Sequence, residues 1–145
     1  MGICRSECQH DFSPSRLSVD IRFYGMCGTG VSGVRQSAGV EIADDNSLSY
    51  ENIMTQYYSA SRHQYDPAAM APSLSSATAF GPAAGAKCNF VSYEDPTSVT
   101  AKGNFALQKK LGGTIIWTIG EGHQSELPAG QRDPLLEAVS AAFRP

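Results

Sequence analysis

Several groups of residues in this chain have types and spacings that could do chemistry. Gly28-Thr29-Gly30-Val31-Ser32-Gly33 has the G-x-G-x-x-G spacing, which at a strand-to-helix turn lets backbone N–H groups cradle a pyrophosphate. The residues from Val34 to Glu41 form a poor helix, with Gly39 inside it. Asp44 and Asp45 come earlier than the roughly 20-residue interval to a ribose-binding acid. A flexible glycine-rich loop is the plainer reading, and a nucleotide-binding α/β unit using Gly28, Gly30 and Gly33 stands as an alternative. Cys4, Cys8 and His10 offer three soft ligands, but a structural zinc site wants a fourth and no second Cys/His pair follows at finger spacing. No metal and no cofactor are therefore expected. Cys4, Cys8, Cys27 and Cys88 are read as free or disulfide-bonded, with three pairings open. His63, Tyr65 and Asp66 form a polar-aromatic cluster without a nucleophile nearby, which reads as a solvated helix end. Glu121 and His123 follow an apolar run, where α/β folds place functional loops, but an exposed loop explains them as well. Trp117, the one tryptophan, is either a core aromatic or a stacking platform at a strand end. No G-x-S-x-G or G-x-C-x-G nucleophile elbow occurs.

The elements that must position these residues are legible in part. Leu17, Val19, Ile21 and Phe23 alternate with Ser18, Asp20, Arg22 and Tyr24, the period of a strand that glycines 25, 28, 30 and 33 then end in a loop. Gly39-Val40-Glu41-Ile42 suits one short strand before a turn at Asp44-Asp45-Asn46. Tyr50, Ile53, Met54, Tyr57 and Tyr58 share a helix face behind Ser49 as N-cap. Residues 67–86, rich in Ala, Ser, Pro and Gly, predict an extended surface segment. A short strand over Asn89–Tyr93 precedes Asp95-Pro96, a helix cap followed by proline at the first helical position. Val99, Gly103, Ala106, Leu107 and Leu111 mark that helix's face, and Gly112-Gly113 should stop it. Thr114 to Ile119 predicts a strand buried on both faces. Asp133-Pro134 opens a last helix with Leu135, Leu136, Val139 and Phe143 on one side. The order is that of an α/β chain.

Composition narrows the function classes. The 145 residues suit one domain, and 14 Gly with 8 Pro point to a loop-rich one. Net charge is −3 and no basic patch lies beyond Lys109-Lys110, so a nucleic-acid partner is not expected. No apolar run approaches the ~20 residues of a bilayer span, and a membrane partner is not expected either. The opening Met1 to Cys8 shows no apolar h-region of a signal peptide.

Four segments, in order, resemble the closing part of glycoside hydrolase family 18, the chitinases. Phe90-Val-Ser-Tyr-Glu-Asp-Pro-Thr-Ser-Val-Thr-Ala-Lys102 resembles the segment that opens the family's seventh helix. Leu111-Gly-Gly-Thr-Ile-Ile-Trp117 is similar to its eighth barrel strand, and Phe23-Tyr24-Gly25 to the Phe-Tyr-Gly-Arg ending its seventh. Tyr65-Asp66-Pro-Ala-Ala-Met-Ala-Pro72 is similar to a stretch of the α+β subdomain inserted after strand seven. The resemblance covers about residues 17–120. It implies an α/β chain that is the C-terminal portion of a (β/α)₈ TIM barrel, strands seven and eight with their helices. On that reading residues 1–16 are an irregular lead-in and 17–145 a partial barrel, with the inserted subdomain at about 28–92. A whole barrel takes ~250 residues.

The resemblance also gives residues roles. Trp117 would be the platform on which an N-acetylglucosamine ring stacks, Tyr24 would line the same pocket, and Met26 stands where the family has arginine. Tyr65 and Tyr93 would belong to a groove wall. Cys27 and Cys88 flank the insertion, and the resemblance leaves open a disulfide that closes it. The implied partner is chitin or an N-acetylglucosamine oligosaccharide, in an extracellular setting. The family's general acid ends an Asp-x-x-Asp-x-Asp-x-Glu motif, and this chain contains no Asp-x-Asp or Asp-x-Glu. No catalytic residue is therefore expected here, and hydrolysis would need a longer protein that supplies the acid; a non-catalytic, lectin-like glycan binder is the alternative. Asp20-Ile21-Arg22 replaces the family's Gly-apolar-Pro, and alternation points Asp20 and Arg22 to the same side as Tyr24.

Overall fold

The alternation that begins at Leu17 forms β1 (Ser18–Arg22) in the computed structural model, which describes residues 13–31, 33, 48–84 and 87–144. Val19 and Ile21 turn inward, Ile21 fully buried, while Asp20 and Arg22 face out. The strand does not run on through Tyr24. It breaks at Phe23, whose N–H donates to the Trp117 carbonyl (3.0 Å) and whose ring is buried against Gly122, where a Cβ would come within 2.5 Å of it. The chain then re-forms as β2 (Tyr24–Gly28), so Gly25 and Gly28 lie in a strand and not in the expected loop. Gly25 is needed there: a Cβ would meet Ile53 at 2.6 Å and the Ser92 carbonyl at 2.8 Å.

β3 (Leu48–Ser49) leads into α1 (Tyr50–Asn52), and the Ser49 hydroxyl accepts from the Asn52 N–H as its cap. The helix continues as a π-turn over Ile53–Tyr57, closed by Tyr58 N–H to the Ile53 carbonyl at 2.8 Å. Tyr50, Ile53 and Tyr57 are buried on the expected face, and Tyr58 is exposed. β4 (His63–Asp66), β5 (Ala71–Phe80) and β6 (Cys88–Ser92) follow. The surface segment expected over 67–86 is corrected by β5, a ten-residue strand between β4 and β6 with Pro72, Ser73, Leu74 and Phe80 buried. Its small residues hide the period of two, although both pairing partners, β4 and β6, are its neighbours in the chain.

Asp95 caps α2 (Pro96–Gln108) with a capping box, its carboxylate accepting from the Ser98 N–H at 2.7 Å. Val99, Gly103 and Ala106 are buried as expected, but Leu107 is exposed. At Gly103 a Cβ would lie 2.4 Å from that of Ala142, which sets how closely the last helix approaches. Lys110, with φ 54°, ends α2 in place of the expected glycine pair; Leu111 N–H then bonds the Ala106 carbonyl at 2.9 Å. β7 (Gly113–Trp117) leads through a 3-10 turn (Ile119–Gly122) to α3 (Pro134–Ala142), which buries Leu135 and Val139.

Among the described residues the strands form two sheets. β1 and β7 pair in parallel, Ser18 opposite Gly113 through Arg22 opposite Trp117. The other five are antiparallel in the order β3-β2-β6-β5-β4. Cys27 and Cys88 form a disulfide joining β2 to β6 across 61 positions. β7 is not buried on both faces. Ile116 packs on the core, whereas Ile115 and Trp117 are 54% and 60% exposed, because no described element covers that side of the two-stranded sheet. The expected strand at Gly39–Ile42, the turn at Asp44–Asn46 and the residues Cys4, Cys8 and His10 lie outside the described residues.

Candidate functional site

Strand alternation and parallel register together build an open recess. β1 and β2 send Asp20, Arg22 and Tyr24 to one side, and β7 sends Ile115 and Trp117 to the same side. These five residues line a recess of about 260 Å³. Arg22 lies in register with Trp117, and Asp20 with Ile115. The Arg22 Nε donates to Asp20 Oδ2 at 3.4 Å, and an Nη1 of the same guanidinium lies 4.0 Å from the Met26 sulfur. The peptide bond between Trp117 and Thr118 is cis. A recess of this kind has an aromatic face, an apolar edge and a donor–acceptor pair, the combination that holds a ring with both CH faces and hydroxyl edges.

Trp117 and Tyr24 are thus brought together, with Asp20 and Arg22 on the side that alternation indicated. Ile115, read as buried, is the lining residue the sequence did not disclose. Met26 is exposed on β2 and touches the recess only through Arg22. Tyr65 and Tyr93 lie elsewhere. Tyr93 is 4% exposed, part of the core, and burial with the nearby Asp95 charge holds its phenol well above the ordinary range. Tyr65 is half-buried on β4, raised by burial and by Asp95 and Glu94.

His63, Tyr65 and Asp66 are strand residues of β4, not a helix end. Asp66 Oδ1 accepts from the Ala68 and Ala69 N–H groups at 2.8 and 3.2 Å, making the turn that follows. His63 Nε2 stands 3.8 Å from Asp95 Oδ2, and its ring faces Tyr58 at 6.0 Å. Beside it Glu94 pairs with Lys102 and accepts the Ser98 hydroxyl at 2.6 Å. Burial, then Asp95, then Tyr58 push the Tyr50 phenol up to about 12. Beyond β7, His123 Nδ1 lies 2.8 Å from Asp133 Oδ1, and Glu51 accepts from Ser125. Hydrogen bonds from the Ser125 hydroxyl and N–H hold the Glu51 carboxyl below its ordinary range. No metal-competent cluster occurs among the described residues, and no described helix is long and apolar enough to cross a membrane. Gly28 ends β2 paired with Phe90, so the first glycine of the G-x-G-x-x-G spacing lies in a ladder; the helix that a nucleotide would need falls on residues outside those described.

Known proteins place this geometry in context. Residues 4–122 match the family model described as glycosyl hydrolases family 18. Probable chitinase 10 of Drosophila melanogaster is 38% identical over 64 residues, 44% of this chain and 3% of that protein. A GH18 chitinase from Cycas revoluta, solved in complex with (GlcNAc)4, superposes with a TM-score of 0.61 at 19% identity, over 92% of this chain and 35% of that one. The chitinase-like agglutinin of Robinia pseudoacacia superposes with a TM-score of 0.55 at 19% identity, over 90% of this chain and 33% of that one. At these identities the structural likeness establishes a shared mixed α/β fold, and this chain spans about a third of the length of the structures it matches.

Proposed function

The chain belongs to glycosyl hydrolases family 18, and on that premise we propose that it is the C-terminal portion of a chitinase-like barrel that recognises chitin or β-1,4-linked N-acetylglucosamine oligomers. β1 and β7 stand as the seventh and eighth barrel strands, and the antiparallel sheet as the inserted α+β subdomain at about residues 28–92. One observation carries the reading: Trp117 at the end of β7 and Tyr24 at the start of β2 converge on one recess, with the indole 60% exposed. A large aromatic ring is kept out of the core there and offers its face, which suits the CH face of a pyranose. The complex of the Cycas revoluta relative with (GlcNAc)4 supports an oligosaccharide of this class as the ligand.

Hydrolysis belongs to a longer protein that supplies the family's glutamate. In the substrate-assisted mechanism the acetamido oxygen attacks the anomeric carbon while that acid protonates the leaving oxygen. Asp-x-Asp and Asp-x-Glu do not occur in this chain. Glycan binding without hydrolysis is the second reading, and likeness to a chitinase-like agglutinin favours it. Both readings require the recess to bind sugar.

Trp117 is the only tryptophan, so its fluorescence reports on the recess alone. Chitooligosaccharides should quench it saturably, and nucleotides should not. By calorimetry, Trp117→Ala should weaken binding about tenfold or more, roughly 1.4 kcal/mol, and Trp117→Phe less. A chain that is folded by near-ultraviolet circular dichroism yet silent to chitooligosaccharides overturns the proposal. A response to nucleotides instead moves the function to the glycine-rich segment.

A further inference from the structure

Asp20 and Arg22 occupy the recess in a way the stacking role of Trp117 does not use. The geometry points to these two as a hydroxyl-reading pair that makes the recess selective for neutral sugars; this rests on the glycan-binding reading above. Their placement follows from register, since Arg22 stands opposite Trp117 and Asp20 opposite Ile115 on the recess side of the sheet. Both side chains are about half exposed, 51% for Asp20 and 52% for Arg22, so neither is committed to the interior.

Their bonding capacity is also largely unspent. A guanidinium carries five N–H donors. Among the described residues, those of Arg22 reach only Asp20 Oδ2, from Nε at 3.4 Å, and the weakly accepting sulfur of Met26, from Nη1 at 4.0 Å. Among the described residues Asp20 is engaged through Oδ2 alone, so its Oδ1 retains acceptor capacity. A sugar hydroxyl donates and accepts at once, so neighbouring hydroxyls on a ring lying against Trp117 can give a proton to Asp20 and take one from Arg22. Because the two side chains pair, their charges cancel at short range. A carboxylate-bearing sugar entering beside Arg22 would meet Asp20, and an ammonium-bearing one entering beside Asp20 would meet Arg22. A neutral N-acetylated oligomer meets neither repulsion.

The test uses the full chain and three probes: a neutral chitooligosaccharide, its deacetylated glucosamine counterpart, and an oligosaccharide alternating N-acetylglucosamine with glucuronate. Affinities are read by Trp117 fluorescence at fixed salt. The wild type should prefer the neutral probe. Asp20→Ala and Arg22→Ala should each weaken it about fivefold or more, the effect of losing a hydrogen bond to a charged group at a half-exposed site. Asp20→Asn, which leaves the guanidinium without its counter-charge, should shift preference toward the glucuronate probe. Arg22→Gln should shift it toward the glucosamine probe. These opposite shifts are a readout that a merely structural pair would not produce. If the wild type binds the neutral probe and all variants keep its affinity and preference, the pair is a bystander and this inference falls while the Trp117 reading stands. A wild type that prefers either charged probe also overturns it. A wild type that binds none of the three overturns the glycan reading and the pair together.

Discussion

Asp95 holds more of the local structure than any other acid described here. Its Oδ1 accepts the Ser98 N–H at 2.7 Å and caps α2, its Oδ2 faces His63 at 3.8 Å, and its charge bears on Tyr50, Tyr65 and Tyr93. Removing the cap with Asp95→Ala should cost about 1 kcal/mol, within the 0.5–2 usual for such caps. The same residue enters a pH dependence. Tyr50 ionises at about 12 in the fold, against an ordinary 10.0, because burial and then Asp95 disfavour the phenolate. Between those two values the unfolded chain releases its proton while the fold retains it, so the unfolded state binds fewer protons and stability falls as pH rises. The slope approaches about 1.4 kcal/mol per pH unit for one such phenol. The urea midpoint should therefore hold level up to about pH 9.5 and drop above pH 10. Tyr50→Phe should flatten the part of that drop due to Tyr50, and Asp95→Ala should bring the onset of tyrosinate absorbance of the folded protein to lower pH. An absorbance titration that shows all six tyrosines ionising together near 10 removes the argument.

At the scale of elements, the Cys27–Cys88 disulfide decides how β2 and β6 are held. It closes an interval of 61 positions that contains β3, β4 and β5. Chain entropy for a loop of that length gives about 4 kcal/mol, and removal of native disulfides costs about 2–5 kcal/mol in practice. Against a total of about 5–15 kcal/mol for an ordinary domain, this is a large share. A Cys27→Ser, Cys88→Ser double variant should lose a comparable amount in denaturant unfolding, and reductant should lower the midpoint of the parent but leave that of the variant unmoved. An unchanged midpoint on reduction would show that the antiparallel sheet holds itself. The resemblance had left this disulfide open, and only the pairing of β2 with β6 brings the two cysteines together. Local signals were easier to read. Asp95-Pro96 and Ser49 announced their helices because a cap is made within four residues. β5 is not legible, since its Ala, Ser and Thr alternate without an apolar stripe, even though its ladder partners β4 and β6 are its neighbours in the chain. The end of α2 was misplaced for a related reason: Lys110 takes the left-handed conformation that the sequence invites one to give to a glycine.

For the whole molecule, the question is what covers the face that carries the recess. A parallel pair of strands normally has both faces and both edges occupied. Here Val19, Ile21 and Ile116 pack on the core side, while Ile115 and Trp117 are more than half exposed on the other. That asymmetry explains why Thr114–Ile119 read as buried on both faces: its apolar composition suits a covered sheet, and sequence pattern cannot say which cover this chain contains. It also explains why Trp117 was ambiguous between core and platform, since the same residue can be either according to what lies opposite. This chain spans about a third of the two structures compared above, and the acid motif of the family does not occur in it. Binding and turnover should accordingly separate. The chain alone should bind chitooligosaccharide weakly, because one wall and a floor give only part of a cleft, and it should show no release from a fluorogenic chitobioside above buffer. Joined in one polypeptide behind six further βα units bearing Asp-x-x-Asp-x-Asp-x-Glu, the same residues should support turnover. Trp117→Ala should then lower it at least tenfold, whereas a change at exposed Leu107 on α2 should leave it unmoved. Turnover by the chain alone that survives Trp117→Ala would place the chemistry away from the recess, and equal turnover by the joined protein with and without Trp117 would remove the indole from the cleavage subsite.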